Sequence, residues 1–175
     1  GGLWDWSPTH IPSHNSDSRP KNQMTPEENL ASLGLEIPDV ATPLGSYLNA
    51  SRSGNLLYIS GGLPIMGDEK YLGKVPTECN VEDANKAARL AVITRLAVIK
   101  SELGSINQVA RIVSVSGFVN AAPDFTDHPQ VVNGASDLLV EVFGEIGKHS
   151  RTAVGCSSLP LGVAVEVSLI VEVKP

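Results

Sequence analysis

Val163-Ala164-Val165-Glu166-Val167-Ser168-Leu169-Ile170-Val171-Glu172-Val173 lies just before the end of the chain, and its side chains alternate along most of its length. Successive side chains of a β-strand point to opposite faces, so a period of two over this length predicts a half-buried strand. Val163, Val165, Val167, Leu169, Val171 and Val173 form its core face, and Ala164, Glu166, Ser168, Ile170 and Glu172 its other face. Such a strand needs partners, and the sequence upstream supplies them. Val109 to Asn120 predicts a second strand, with Val113, Val115 and Val119 on one face and Ser114 and Ser116 on the other. Between Val81 and Leu103 apolar residues recur every three or four positions opposite Glu82, Lys86 and Arg89, the pattern of a long amphipathic helix closed by Gly104. Pro129 opens a second helix to about Ile146, and Arg151 stands directly before a short apolar strand at Ala153 and Val154.

Nearer the amino end, Thr25, Pro26 and Glu28 carry the cap, first-turn proline and acid of a short helix. Tyr47 to Ala50 and Asn55 to Ser60 predict a hairpin across Ser53-Gly54, and Gly61, Gly62, Pro64 and Gly67 then break the chain before a weak strand near Tyr71 and Leu72. The order strand, strand, helix, strand, helix, strand, strand predicts an α+β fold with both helices on one face of a sheet. The uncovered face would carry Ser114, Ser116, Glu166 and Ser168, and must meet water, a ligand or another subunit.

Composition bounds the rest. The 175 residues are 42% hydrophobic and 18% charged, enough apolar matter for one core. A net charge of −6 without any Lys/Arg block argues against a nucleic-acid partner, because phosphate neutralisation needs clustered cations. The charge-free runs 53–67 and 152–165 are interrupted by Gly and Pro and fall short of the roughly 20 apolar residues of a membrane helix, so no membrane partner is expected. Two cysteines, Cys79 and Cys156, fit a reducing, cytoplasmic setting; of the four histidines only His10 and His14 have the i, i+4 interval of a helical site, and they sit among prolines and serines where no helix is expected, so no metal is expected. Residues 1–23 hold both tryptophans and three prolines but no Ala or Val; they are expected to be a disordered or appended tail before a domain at 24–175. A Trp-anchored docking peptide is the alternative.

Three places could carry chemistry. Arg151, at a strand end after Gly147, is shaped to take a carboxylate bidentately, although from its position alone a solvated rim arginine is the plainer reading. Glu166 lies mid-strand between valines, where partial burial would raise its pKa towards general acid/base use; a solvated face is the plainer reading. Ser60-Gly61-Gly62 follows an apolar strand, and fits either a ligand-approaching loop or a simple strand-ending turn. Tyr47 and Asn133 are single polar side chains that can satisfy local backbone or contact substrate.

Together these positions resemble the RidA family, also called the YjgF or endoribonuclease L-PSP-like proteins. The carriers are Leu57-Tyr58-Ile59-Ser60-Gly61-Gly62-Leu63-Pro64, the run Val115 to Phe125, Val132-Asn133-Gly134, and Arg151 followed by Leu159-Pro160 and Val165-Glu166-Val167. Asn120 to Asp127 and Val132 to Gly144 are similar to a RidA-like branch rather than to the archetypal deaminases. The resemblance implies a chorismate-mutase-like fold with a mixed sheet, assembled as a homotrimer with a central barrel and clefts between subunits. It further implies hydrolysis of reactive 2-imino or enamine carboxylates to 2-keto acids and ammonia, with no cofactor. Arg151 would bind the substrate carboxylate and Glu166 would place the attacking water. Tyr47, Ser60, Gly61, Asn133 and Ala153 would line the cleft. Gly62 stands where the family commonly has Gln, and Ala153 where archetypal deaminases often have Cys. A non-catalytic sensor of small carboxylates in the same cleft is the competing expectation, and an endoribonuclease or translation inhibitor a third, which the acidic charge opposes.

Overall fold

A computed structural model describes residues 23–175, so the tail expected at 1–23 lies outside the described residues except for its last position. Thr25 caps the first helix, α1 (Pro26–Ser32), and the capping box is complete: the Thr25 hydroxyl accepts from the Glu28 amide while Glu28 accepts from the Thr25 amide, both at 3.2 Å. Leu30 buries the apolar side of α1 against α3 (His128–Phe143).

Five strands form one sheet in the order β1-β2-β7-β5-β6, with β1 Ala50–Ser53, β2 Leu56–Gly62, β5 Val109–Asn120, β6 Ser150–Cys156 and β7 Val165–Val173. All pairings are antiparallel except β5 with β6, which run parallel because α3 carries the chain back between them. The sheet is therefore mixed and the fold α+β, as the sequence pattern predicts. The long helix α2 (Val81–Leu103) and α3 cover one face. Asn80 caps α2 by accepting from the Asp83 amide at 2.8 Å, and Gly104 ends it at φ 82, a conformation that glycine adopts without steric cost. Val92, Leu96 and Ile99 of α2, Leu138 and Leu139 of α3 and every second residue of β7 are sealed in the layer between helices and sheet. Each full burial of this kind contributes roughly 1.5–3 kcal/mol. Gly134 lets the helices approach: a methyl there would run into the backbone of Asn85.

Local details differ from the periodicity reading, each for a physical reason. The first strand of the hairpin begins at Ala50, so Tyr47 and Leu48 lie outside it. β2 does not stop at Ser60 but continues to Gly62, with a bulge between Ile59 and Gly62 where three steps on β2 face two on β7. Ser60-Gly61-Gly62 is thus bulged strand rather than a turn. A second bulge, between Ile112 and Ser114, breaks the alternation of β5: Ile112 rather than Val113 joins the core with Val115 and Val119. The weak strand near Tyr71 is a two-residue pair, β3 (Ile65–Met66) with β4 (Glu69–Lys70), while Leu72 bridges only to Val163. α3 ends at Phe143 and tightens into a 3-10 turn at Gly144–Gly147, and β7 begins at Val165 rather than Val163. The third helix, α1, flanks α3 instead of covering the sheet.

Candidate functional site

β7 presents Glu166 opposite Phe118 of β5, between the sealed Val165 and Val167, so its carboxylate leaves the sheet on the face without helices. There it rests against Gly61 of β2: a methyl at Gly61 would collide with Glu166 Oε1. Burial pushes the Glu166 carboxyl above its ordinary value, and the Arg95 guanidinium opposes that rise. Arg95 comes from α2 and lies against the neighbouring Gly62, where a methyl would strike its Nε and meet the Ala91 carbonyl oxygen at 2.9 Å. Its NH1 donates to the Ser60 carbonyl at 2.9 Å. The double glycine is therefore the gap through which a buried cation and a carboxylate approach one strand. Burial draws Arg95 below its ordinary value, with Tyr47 and Glu166 counteracting.

Ser60 ties this cluster to the preceding segment, its hydroxyl donating to the Leu48 carbonyl at 2.6 Å and its amide to the Asn49 carbonyl at 2.9 Å. Tyr47, held there and half exposed, borders two hollows. One, of about 460 Å³, opens on the uncovered sheet face over Ser60, Ser116 and Ser168. The other, of about 200 Å³, runs beside Gly61 to Arg95.

A second cluster sits on the edge strand. Arg151 pairs with the sealed Val115, which directs it towards the helices, and its NH1 donates to Asn133 Oδ1 at 2.8 Å and Ser136 Oγ at 3.2 Å, both on α3. His149 completes a relay. Its Nδ1 lies 2.6 Å from the Gly147 carbonyl, which can only accept, so that nitrogen carries the proton and Nε2 accepts from the Ser136 hydroxyl at 2.9 Å. With NH1 engaged by α3, the Nε and NH2 edge of Arg151 has no protein partner among the described residues. That edge is the fork that takes a carboxylate bidentately. Ala153 shares the Arg151 side of β6, packed against the core.

The structure thus gathers Tyr47, Ser60, Gly61 and Glu166 in one group and Arg151, Asn133 and Ala153 in another. It does not join the two within a chain. Arg151 aligns through Val115 with Leu169, two strands across and three residues along from Glu166, so their backbones are roughly 14 Å apart. Their side chains leave opposite faces of the sheet. Arg95, Ser136 and His149 escape the reading of polar motifs. Arg95 does leave a trace, as the single charge in Leu90-Ala91-Val92-Ile93-Thr94-Arg95-Leu96-Ala97-Val98-Ile99; Ser136 lies one helical turn from Asn133. Cys79 is buried, which raises its thiol, and Cys156 is partly buried on β6. No helix among the described residues is long and apolar enough to cross a membrane.

Comparison with known proteins agrees with this architecture. Protein TCP17 of Trypanosoma cruzi is 39% identical over 148 residues, 83% of this chain and 92% of its own length. A Shewanella oneidensis crystal structure, described as a "putative endoribonuclease", superposes with a TM-score of 0.83 at 36% identity, covering 86% of this chain and all of that one. A 2-iminobutanoate/2-iminopropanoate deaminase of Dermatophagoides farinae is 26% identical over 142 residues, 80% of this chain and 95% of its own. Residues 27–173 match the family described as "YjgF/chorismate_mutase-like, putative endoribonuclease", and the chain belongs to that family.

Proposed function

We propose that the protein hydrolyses reactive 2-imino or enamine carboxylates to 2-keto acids and ammonia, without a cofactor, in a cleft between copies of this chain in a homotrimer. The observation that carries this reading is the Arg151 fork, fixed by Asn133 and Ser136 through NH1, with its Nε and NH2 edge left without a protein partner among the described residues. An imine carbon already activated by protonation needs little more than a held carboxylate and a placed water. Arg151 binds the carboxylate and Glu166, with its raised pKa, accepts a proton from water as the water oxygen bonds to the imine carbon. That proton then passes to the amino nitrogen of the tetrahedral adduct; as the carbon–nitrogen bond breaks and ammonia departs, Glu166 takes the hydroxyl proton, the carbonyl forms, and the proton leaves with the ammonia as ammonium. Tyr47, Ser60, Gly61, Asn133 and Ala153 shape the walls.

Because Arg151 and Glu166 leave opposite faces of one sheet, the site is complete only when a second copy brings its Glu166 face to the edge strand of the first. The uncovered face suits that packing, with Tyr58 and Val154 exposed among small serines. The domain at 24–175 is the unit that assembles. Release of 2-keto acid from imines generated in situ by an amino-acid oxidase tests the reading. Acceleration by the wild type that is lost in Arg151→Ala supports it. Equal rates with and without a well-folded trimer overturn it, and saturable, Arg151-dependent binding of 2-keto acids would then leave a carboxylate sensor.

A further inference from the structure

Among the described residues Arg95 is the one charged side chain sealed into the core, only 7% exposed, and the proposed reaction gives it no part. Of its donors, NH1 is taken by the Ser60 carbonyl and Nε lies 3.4 Å from the Thr94 hydroxyl, while NH2 has no protein partner among the described residues. No fully sealed side-chain nitrogen or oxygen among those residues lacks a partner. The unpaired NH2 is therefore not fully sealed, and Arg95 itself lines a hollow of about 200 Å³ together with Tyr47, Gly61, Leu63, Ile65 and Leu161. A buried guanidinium with unspent donors at the end of a largely apolar pocket is a receptor for an anion carried on a short carbon chain. Gly61 is the shared wall: one side lines this hollow and the other carries the Glu166 carboxylate.

We propose that the Arg95 hollow receives a second acidic group of the ligand, so that the chain prefers a dicarboxylate to a monocarboxylate of the same length. The inference rests on the function proposed above for the first carboxylate, at Arg151, and adds the class of side chain. Gly62 fits the same picture. A side chain at that position would occupy the place of Arg95, so the glycine is the condition for this cation. Leu161 stands at the mouth of the hollow, 65% exposed and at φ 56, a conformation that Asp adopts more readily than Leu.

Calorimetric titration with 2-oxopentanedioate and 2-oxopentanoate reads the preference directly. The wild type should bind the dicarboxylate about tenfold more tightly, the scale of one good charge-assisted contact. Arg95→Met should remove the difference. Leu161→Asp, an exposed substitution that spares the core, should narrow it by placing a negative charge at the entrance. Equal affinities in the wild type, or a difference that survives both substitutions, overturns the inference. Arg151→Ala separates the two readings. If it weakens both ligands alike, the carboxylate anchor stands whatever Arg95 does. If it changes neither while the Arg95-dependent difference persists, the anchor fails and the Arg95 site stands alone. Absence of binding by either ligand at millimolar concentration defeats both.

Discussion

The two polar clusters are built on opposite plans. On the edge strand, Arg151 is held by hydrogen bonds from its NH1 to side chains of α3, and its Nε and NH2 edge has no protein partner among the described residues. At the end of β2, Glu166 and Arg95 are held by the absence of side chains at Gly61 and Gly62, and both charges are partly or wholly withdrawn from water. The first plan orients a cation without desolvating it much, so its charge stays fully available to a ligand. The second shifts protonation equilibria, because a carboxylate removed from water holds its proton more firmly. In the proposed function one cluster grips and the other handles a proton, and the sheet keeps them about 14 Å apart within a chain.

That separation gives the largest expected effect. Arg151→Ala and Glu166→Gln should each reduce 2-keto acid release by about 100-fold, from the loss of a charge-assisted clamp and of a positioned base respectively. Refolded together in equal amounts, the two inactive variants should regain about one quarter of wild-type activity if the proposed trimer forms at random, because an intact Arg151 then meets an intact Glu166 in that share of its clefts. No recovery in co-assembled trimers would mean that the clusters do not serve one site.

The next effect follows from the raised Glu166 pKa. Activity of the wild type should climb as pH rises through that shifted value, and Glu166→Gln should flatten the climb as well as lower the rate. Stability moves the other way. A carboxyl whose folded pKa lies above its unfolded value favours the fold while protonated, and that contribution is lost as pH rises through the folded value. Glu166→Gln should therefore raise the thermal midpoint relative to wild type at pH 8 and not at pH 4. A midpoint difference that ignores pH would show that the carboxylate is not desolvated in the assembled protein.

How much of this was legible in the sequence depends on whether one strand or several elements decide it. The period of β7 and the stripe of α2 are local, and both held within two residues. The bulges in β2 and β5 were not visible, because an extra residue in one strand has meaning only against its partner: nothing in Ile112-Val113-Ser114 by itself says that Ile112 turns inward. Arg151 and Glu166 could be named as candidates, but the faces they occupy follow from pairing with Val115 and Phe118. Arg95 shows the same limit. A lone charge in an apolar helix marks a buried cation, yet only packing reveals that Gly62 makes its room.

Gly62→Ala tests that packing. The added methyl meets Arg95 and the Ala91 carbonyl oxygen, so the substitution should cost about 2 kcal/mol, read from the urea midpoint and slope. In an Arg95→Ala background the cost should fall by about half, since the side-chain clash is relieved while the Ala91 oxygen still opposes the methyl at 2.9 Å. Strict additivity of the two substitutions would separate Gly62 from Arg95 and with it the reason for the double glycine.

The smallest effect belongs to the hydrogen-bond relay behind Arg151. Ser136 accepts from Arg151 at 3.2 Å and hydrogen-bonds His149, whereas Asn133 accepts from the same guanidinium nitrogen at 2.8 Å. Ser136→Ala removes the longer of the two bonds and leaves the shorter, so Arg151 keeps its place with a wider swing. A clamp that swings loses affinity before it loses chemistry, because the water and the proton are handled at the other cluster. KM should rise about threefold with kcat nearly constant, whereas Asn133→Ala should raise KM further, in proportion to the stronger bond it removes. A fall in kcat at constant KM in Ser136→Ala would place the serine on the proton path instead, and the division between a gripping cluster and a proton-handling cluster would no longer hold.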